Sequence, residues 1–476
     1  MLGIDAADTA TILLSWLFIA TQLLYAGATA VDLYLFRLPI DQVDMAREDE
    51  LGPRDFFRIV MFYPVLAEAE GTMRTTFISL AKLRYPVDRF RVIAIPNADD
   101  TPTVASLARL QREFAFLEVM AVPPTTDPSW AAVWDAWDAN SSAYWWHEGP
   151  RAGERALPPK KTRQLIHAFY TLAARERGGE DFLVNYIDAD SAPPADHLIA
   201  AAIGIRDYDV LQASNIAGNL NDTLAASWHA FDHMAWDGRK YRHLTAHGRQ
   251  PFWVLGKGLF FKASDLIALG GFHPWITIED PEVGMRFWAA GKRLGYIENP
   301  LVEEVPSTFG HGITQRKRWV AGFFQSLDVP LKALGYGWRD RLRAWAIFLP
   351  CLSYAIGPVG LPVGAWAMWR LLEGTGPLPT WSIVLSAFNV SIWIMSLAML
   401  YRSIWRRTDL VLQRRRDRLR YLVRCNPLAL LVWGLVWCVP LWIGWRMYRK
   451  DTGLAWERTV KLDANATLVR RLAEEG

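Results

Sequence analysis

Phe182-Leu183-Val184-Asn185-Tyr186-Ile187-Asp188-Ala189-Asp190 reads as a buried strand that runs into carboxylates and is stopped by Pro193-Pro194. Residues i and i+2 of a strand share a face, so Asp188 and Asp190 are expected to project together at the carboxyl edge of a sheet. Two carboxylates held this close repel unless a positive group lies between or beside them. A divalent cation bridging to phosphates is the usual solution, because hard cations prefer oxygen ligands and magnesium is commonly shared with substrate phosphates. A lone Asp-x-Asp turn is often only solvated; one that follows a buried strand is less often so.

Upstream, Phe57 to Tyr63 is a second expected strand, stopped by Pro64, followed by a helical stretch with Met73, Phe77, Leu80 and Leu83. Arg91 to Ile95 is a third, ending in Pro96-Asn97-Ala98-Asp99-Asp100, and a helix is expected from about Val104 to Phe116. Strand alternating with helix predicts a parallel sheet with helices on both faces. Ligands of such sheets bind at the carboxyl ends of strands, where Asp99 and Asp100 fall. The aromatic stretch Pro123 to Pro159, with Trp130, Trp134, Trp137, Tyr144, Trp145 and Trp146, reads as a packed insertion more readily than as a sugar channel or a membrane contact. Lys160, Lys161 and Arg163 then open a helix that runs through Ala174.

Downstream, Gly256-Lys257-Gly258 offers a backbone that a ligand can approach closely, without the spacing of a Walker loop. Asp280 before Pro281, in Thr277-Ile278-Glu279-Asp280-Pro281-Glu282, has the pattern of a helix N-cap with proline at the first helical position. Within Ile313 to Ser326, Gln315, Arg318 and Trp319 stand at i, i+3 and i+4 and share one helical face. An arginine fork suits a diphosphate and a large ring suits a sugar. Arg316 and Lys317 are expected to turn the other way, toward a membrane surface.

The 476 residues are 51% hydrophobic with 24 tryptophans, yet 21% are charged, which predicts a soluble domain fused to membrane helices. A net charge of +3 gives no nucleic-acid signal. Cys351, Cys425 and Cys438 have neither zinc spacing nor a disulfide framework. There is no nucleophile elbow, dinucleotide glycine fingerprint or zinc-protease histidine pair. Thr9 to Phe36 is long enough to span a bilayer; acidic residues precede it, unlike a signal peptide, and Arg37, Arg47 and Arg54 follow it. Positive charge stays inside, so the amino terminus is expected outside and the next domain in the cytoplasm. Ala344 to Leu372 and Leu378 to Tyr401 form an expected hairpin of spans with basic residues on both outer flanks. Pro427 to Tyr448 is apolar but basic at both ends, and is either a further span or a Pro440-bent segment that does not cross.

Asp99-Asp100, Asp188-Ala189-Asp190, Ile278-Glu279-Asp280 and Gln315-Arg316-Lys317-Arg318-Trp319, in this order and between membrane segments, resemble the membrane-embedded family-2 glycosyltransferases, among them the cellulose, hyaluronan and curdlan synthases. The likeness runs from about Arg58 to Ser326, reinforced by Tyr63-Pro64, Leu269-Gly270-Gly271-Phe272, Glu304-Val305-Pro306 and Trp456-Glu457-Arg458-Thr459. It implies an α/β GT-A-type (Rossmann-like) cytoplasmic domain over residues 41–330. A transmembrane helix in 1–40 would precede it, and interfacial and transmembrane helices in 331–476 would follow. It further implies that Asp99 or Asp100, Lys161, Asp188, Gln315 and Arg318 hold the donor and its diphosphate, and that Asp190 holds a divalent cation, Mg2+ or Mn2+. By the same resemblance Asp280 in the Glu279-Asp280 pair is the base and Trp319 faces the acceptor; the open backbone at Gly256 and Gly258 is expected on the acceptor side as well. The sequence departs from the family at Pro96, where an aspartate is usual, and at Ile166, where an asparagine is usual.

The implied activity is an inverting transfer from a nucleotide-diphosphate sugar, a UDP-sugar foremost, to a growing polysaccharide, processive and coupled to export through a multi-pass inner-membrane protein. Transfer of one sugar to a membrane lipid is the alternative within the same chemistry; a decayed receptor or scaffold is the alternative outside it. The bilayer, a polysaccharide or lipid acceptor, and export or regulatory proteins are the expected partners.

Overall fold

The computed structural model describes residues 6–176, 179–329, 333, 335, 337–374, 378–450 and 461–475. The stretch Trp456 to Thr459 lies outside them. Its centre is a seven-stranded sheet: β1 Ile59–Val65, β2 Phe90–Pro96, β3 Leu117–Val119, β4 Leu183–Tyr186, β5 Val210–Ala217, β6 Leu259–Lys262 and β7 Leu294–Glu303. The spatial order is β3-β2-β1-β4-β6-β5-β7, parallel except for β6, which runs against both β4 and β5. Every residue of β1 is buried, because both faces of the sheet are covered. Ile59, Met61 and Tyr63 face one core and Val60 and Phe62 the other, the period of two that a strand imposes.

The helices are α1 Ala6–Leu35, α2 Glu70–Leu80, α3 Thr101–Glu113, α4 Ala131–Asp138, α5 Tyr144–His147, α6 Lys161–Arg175, α7 His197–Gly204, α8 Leu224–Ala235, α9 Ala263–Ala268, α10 Asp280–Ala289 and α11 Phe309–Leu327. The series continues with α12 Trp338–Leu352, α13 Gly357–Leu372, α14 Thr380–Arg407, α15 Arg415–Arg424, α16 Pro427–Lys450 and α17 Ala466–Glu475. Helices α2, α3 and α7 cover one face of the sheet, and α6 with the tryptophan-rich insertion covers the other. The insertion is a packed element, as expected. Trp130 and Trp137 are fully buried, and Trp134 stacks on Trp146 with ring centroids 5.3 Å apart.

Among the described residues four helical segments are long and apolar enough to cross a bilayer: Thr9–Leu35, Trp338–Leu372, Thr380–Leu410 and Pro427–Lys450. On Thr380–Leu410 such large apolar side chains as Val384, Ile394 and Met399 are exposed, which is consistent with membrane association. Asn389 on this segment is buried instead, and its side-chain Nδ2 donates a hydrogen bond to Gln22 Oε1 of α1 at 3.1 Å.

Four expectations need correction. Pro64 does not stop β1: the strand continues to Val65, and β4 pairs with β1 only as far as Phe62, so no partner on that side needs the missing N–H. Strand β4 ends at Tyr186, so Asp188 and Asp190 occupy the turn beyond it and share a site without sharing a strand face. Asp280 is the first residue of α10, not its cap; Glu279 holds the cap position, and the Asp280 carboxylate reaches across to Gly256 instead. Arg316 does not face a membrane surface. It is 1% exposed and bonds Asp232 of α8 at 2.9 Å, while Trp433 and Trp437 of α16 donate to the same carboxylate.

That cluster draws α16 along α11. A Cβ on Gly444 would lie 2.6 Å from Val320 Cβ and 2.7 Å from the Lys317 carbonyl oxygen, so only glycine lets the two helices come this close. Tyr448 at the far end donates to Asp328, the cap of α11, at 2.8 Å.

Candidate active site

The carboxyl ends of β1, β4 and β7 meet the turn Gly256-Lys257 that leads into β6, and a cavity of about 310 Å³ opens there. Its donor end is a cluster of charge. Lys161, at the start of α6, donates to Asp188 Oδ1 at 2.7 Å and to the Gly256 carbonyl at 3.0 Å, and lies 3.4 Å from Glu279 Oε1. Burial works against its charge, but Asp188, Glu279 and Asp280 outweigh burial and raise the Lys161 pKa above its ordinary value.

Asp280 accepts from Gly256 N at 2.8 Å. Enclosure by protein pushes its carboxyl up to about 7 and the neighbouring Glu279 adds to the push, while Lys161 opposes both. A carboxylate poised near neutrality has the proton affinity a general base needs. Gly256 is thus tied to Lys161 by its carbonyl and to Asp280 by its N–H. Gly258 is not part of the cavity wall; it holds φ +62, and a Cβ there would lie 2.8 Å from Leu301.

Asp190 accepts from Glu304 N at 2.8 Å and from Lys461 Nζ at 2.6 Å, both on Oδ2. The Glu304 carboxylate in turn accepts from Leu462 N at 2.7 Å and Ala464 N at 3.1 Å. The carboxyl-terminal segment is therefore laid against the end of β7, and α17 packs beyond it on α2. Asp188 and Asp190 each keep one carboxylate oxygen without a hydrogen bond among the described residues. Two hard oxygen donors at the cavity wall fit a divalent cation.

Gln315, Arg318 and Trp319 line one wall from α11, as the i, i+3, i+4 spacing predicts. Opposite Trp319 stands a group that sequence reasoning missed. His233 Nδ1 bonds Glu303 Oε1 at 2.7 Å, Lys257 Nζ bonds Glu303 Oε2, and Asp237 Oδ2 lies 3.8 Å from His233 Nδ1. Ligand atoms of His233, Asp237 and Glu303 lie within 4.8 Å of one another, a spacing a metal ion could use, but the Lys257 ammonium already meets the Glu303 charge. The sequence signal was present in part: His233 and Asp237 are four apart, and the turn from α8 into a π-helix at Trp236 brings both to the cavity.

Asp99 and Asp100 stand apart from this set. Asp99 is exposed, and Asp100 caps α3 through Thr103 N and accepts from Ala67 N at 2.7 Å. Neither lines the cavity. Nearby, Asn97 is buried and bonds Arg163 at 2.7 Å.

The model of glycosyl transferase family group 2 matches residues 183–446, more than half of the chain. The chain belongs to that family. As a family 2 glycosyltransferase it is a nucleotide-sugar-dependent enzyme, and its mixed sheet is of the GT-A type. Among solved structures it is similar to a mannosyltransferase from Pyrobaculum calidifontis in complex with GDP-Man and Mn2+ (19% identity over 81% of this chain and 99% of that one, TM-score 0.47). It is also similar to S. aureus TarS 1-349 (11% identity over 84% and 93%, TM-score 0.35), a protein also solved with UDP-GlcNAc (11% identity over 83% and 92%, TM-score 0.32). Comparison with curated proteins returns no match.

Proposed function

We propose that this glycosyltransferase extends a polysaccharide at the membrane by inverting, processive transfer from a nucleotide-diphosphate sugar, with Asp280 as general base. The observation that carries the reading is one cavity whose wall holds Asp188 with Lys161, Asp280 and Trp319 together. In this reading Asp280 takes the proton of the acceptor hydroxyl as that oxygen attacks the anomeric carbon. Arg318 and Gln315 receive the departing diphosphate, with Lys161 behind it. A divalent cation on Asp188 and Asp190, when bound, would neutralise diphosphate charge. A single displacement inverts the anomeric centre. Asp99 and Asp100, off the cavity wall, are left the nucleoside end of the donor at most.

The same contacts support a reading of the membrane placement. Helix α15 is docked on the catalytic domain through Arg424 and Asn221, and Tyr448 docks the far end of α16. With Lys461 back on Asp190, both ends of α16 return to the domain that holds the site. We therefore read Pro427–Lys450 as a helix lying along α11 rather than a crossing. In this reading three crossings remain, with the amino terminus outside and the catalytic domain cytoplasmic, the orientation the basic flanks favour.

A second acceptor class is favoured by one feature. Past Trp319 the cavity is lined by Phe323, Phe324, Trp345, Phe348, Leu352 and Leu441, apolar side chains of α11, α12 and α16. That limb suits the tail of a membrane lipid carrying the acceptor as readily as a nascent chain. Product length, read after incubating purified protein with single nucleotide sugars, separates the two. A ladder of polymer supports extension, and one added sugar in the lipid fraction supports the lipid acceptor. Absence of nucleotide release with every donor would sink both.

A further inference from the structure

Trp319 is half-buried and its ring lies 5.8 Å, centroid to centroid, from the ring of His233. His233 is only 6% exposed, forms part of the cavity wall, and presents its Nδ1 edge to Glu303 at 2.7 Å. Its other ring nitrogen, Nε2, has no hydrogen-bond partner among the described residues. A buried polar atom without a partner is costly, and one in the wall of a ligand cavity is readily explained by the ligand that completes it.

The chemistry of the missing partner can be read from the other edge of the ring. Burial alone would raise the Glu303 carboxyl, but Lys257 and His233 outweigh it and hold Glu303 well below the usual carboxylate range. An ionised carboxylate only accepts, so Nδ1 carries the hydrogen, and the Nδ1–H tautomer leaves Nε2 as an acceptor. The site therefore asks for a donor. In a cavity already holding a tryptophan suited to a sugar ring, that donor is a sugar hydroxyl. Lys257 is locked onto Glu303, and its neighbour Gly256 donates to Asp280, so base and imidazole are tied to one turn.

We propose that His233 is an acceptor-specificity residue, its Nε2 accepting a hydrogen bond from a hydroxyl of the sugar seated on Trp319, with Glu303 and Lys257 as positioning residues. This rests on the transferase reading above. It makes the acceptor ring, rather than the donor, the substrate that His233 selects.

The test uses the purified full chain, a donor chosen from UDP-glucose, UDP-N-acetylglucosamine and GDP-mannose by nucleotide release, and cellobiose, N,N′-diacetylchitobiose and their monodeoxy analogues as acceptor probes. Glutamine places a polar atom near the position of Nε2, and asparagine near that of Nδ1. His233→Asn should raise the acceptor KM roughly tenfold, about the worth of one hydrogen bond, with the donor KM that of wild type. His233→Gln should stay within about threefold on both, by the same scale. One monodeoxy analogue should be poor for wild type and lose its disadvantage with His233→Asn. The reverse order of the two variants would show that only the Glu303 contact matters and overturn the proposal, as would an equal rise in donor KM or no change in either variant. Wild-type protein that releases nucleotide from no donor would fail the transferase reading itself, and this inference with it.

Discussion

Lys461 Nζ lies 2.6 Å from Asp190 Oδ2, so an ammonium from the carboxyl-terminal segment sits on the second carboxylate of the Asp-x-Asp motif. Two like carboxylates at a strand end need a positive partner. Here Lys161 serves Asp188 and Lys461 serves Asp190.

Asp190→Asn should therefore abolish turnover, and chelation should do the same to wild type, with activity restored by Mg2+ or Mn2+. Lys461→Met should lower the cation concentration for half-maximal nucleotide release, because the Lys461 ammonium no longer offsets the Asp190 charge. Full activity in excess chelator would end the metal assignment.

Asp280 gives a pH signature. Its carboxyl is pushed up to about 7, so the base form appears as pH rises through neutrality, and kcat/KM should climb with an apparent pKa near that value. Asp280→Asn should remove that limb and cost roughly 10²–10⁴-fold in turnover. The stability sign runs the other way. A folded-state pKa above the unfolded one contributes stability that is full below the usual aspartate value and is lost as pH rises through about 7. Asp280→Asn should thus melt at or above the wild-type temperature at pH 8, and the two should converge at pH 4. An active Asp280→Asn protein beside an inactive Glu279→Gln protein would move the base to Glu279.

The Arg316–Asp232 pair is buried and shared with Trp433 and Trp437, so breaking it strands a charge inside the α8–α11–α16 contact. Arg316→Ala should lower stability by about 3–5 kcal/mol, the range for half a buried ion pair. Thermal unfolding in detergent measures this; a loss no larger than that of a surface arginine such as Arg112 would mean the pair is dispensable.

Membrane placement can be checked by impermeant labelling of single cysteines in intact cells. Asp5→Cys and Glu373→Cys should label from outside; Val87→Cys and Ala464→Cys should label only after permeabilisation. External labelling at 464 would make Pro427–Lys450 a crossing.

The alternation of strand and helix, the carboxylates after β4 and the spacing of Gln315, Arg318 and Trp319 were legible in the sequence, because each is set by local periodicity and by a handful of adjacent side chains. So were the long apolar helices, since a bilayer's thickness imposes a minimum length of apolar residues. The antiparallel insertion of β6 between β4 and β5 was not, nor the direction in which Arg316 points. Arg316 reads as a surface charge until Asp232, 84 residues earlier, and Trp433, well over a hundred residues later, surround it. His233, Lys257 and Glu303 come from a helix, a turn and a strand end, with no spacing between them for a motif to record. Asp280 carries its lesson in a single side chain. The dipeptide Asp280-Pro281 specifies a helix start by local sterics, whereas its proton affinity is set by burial and by Glu279 and Lys161, which only the folded chain brings together.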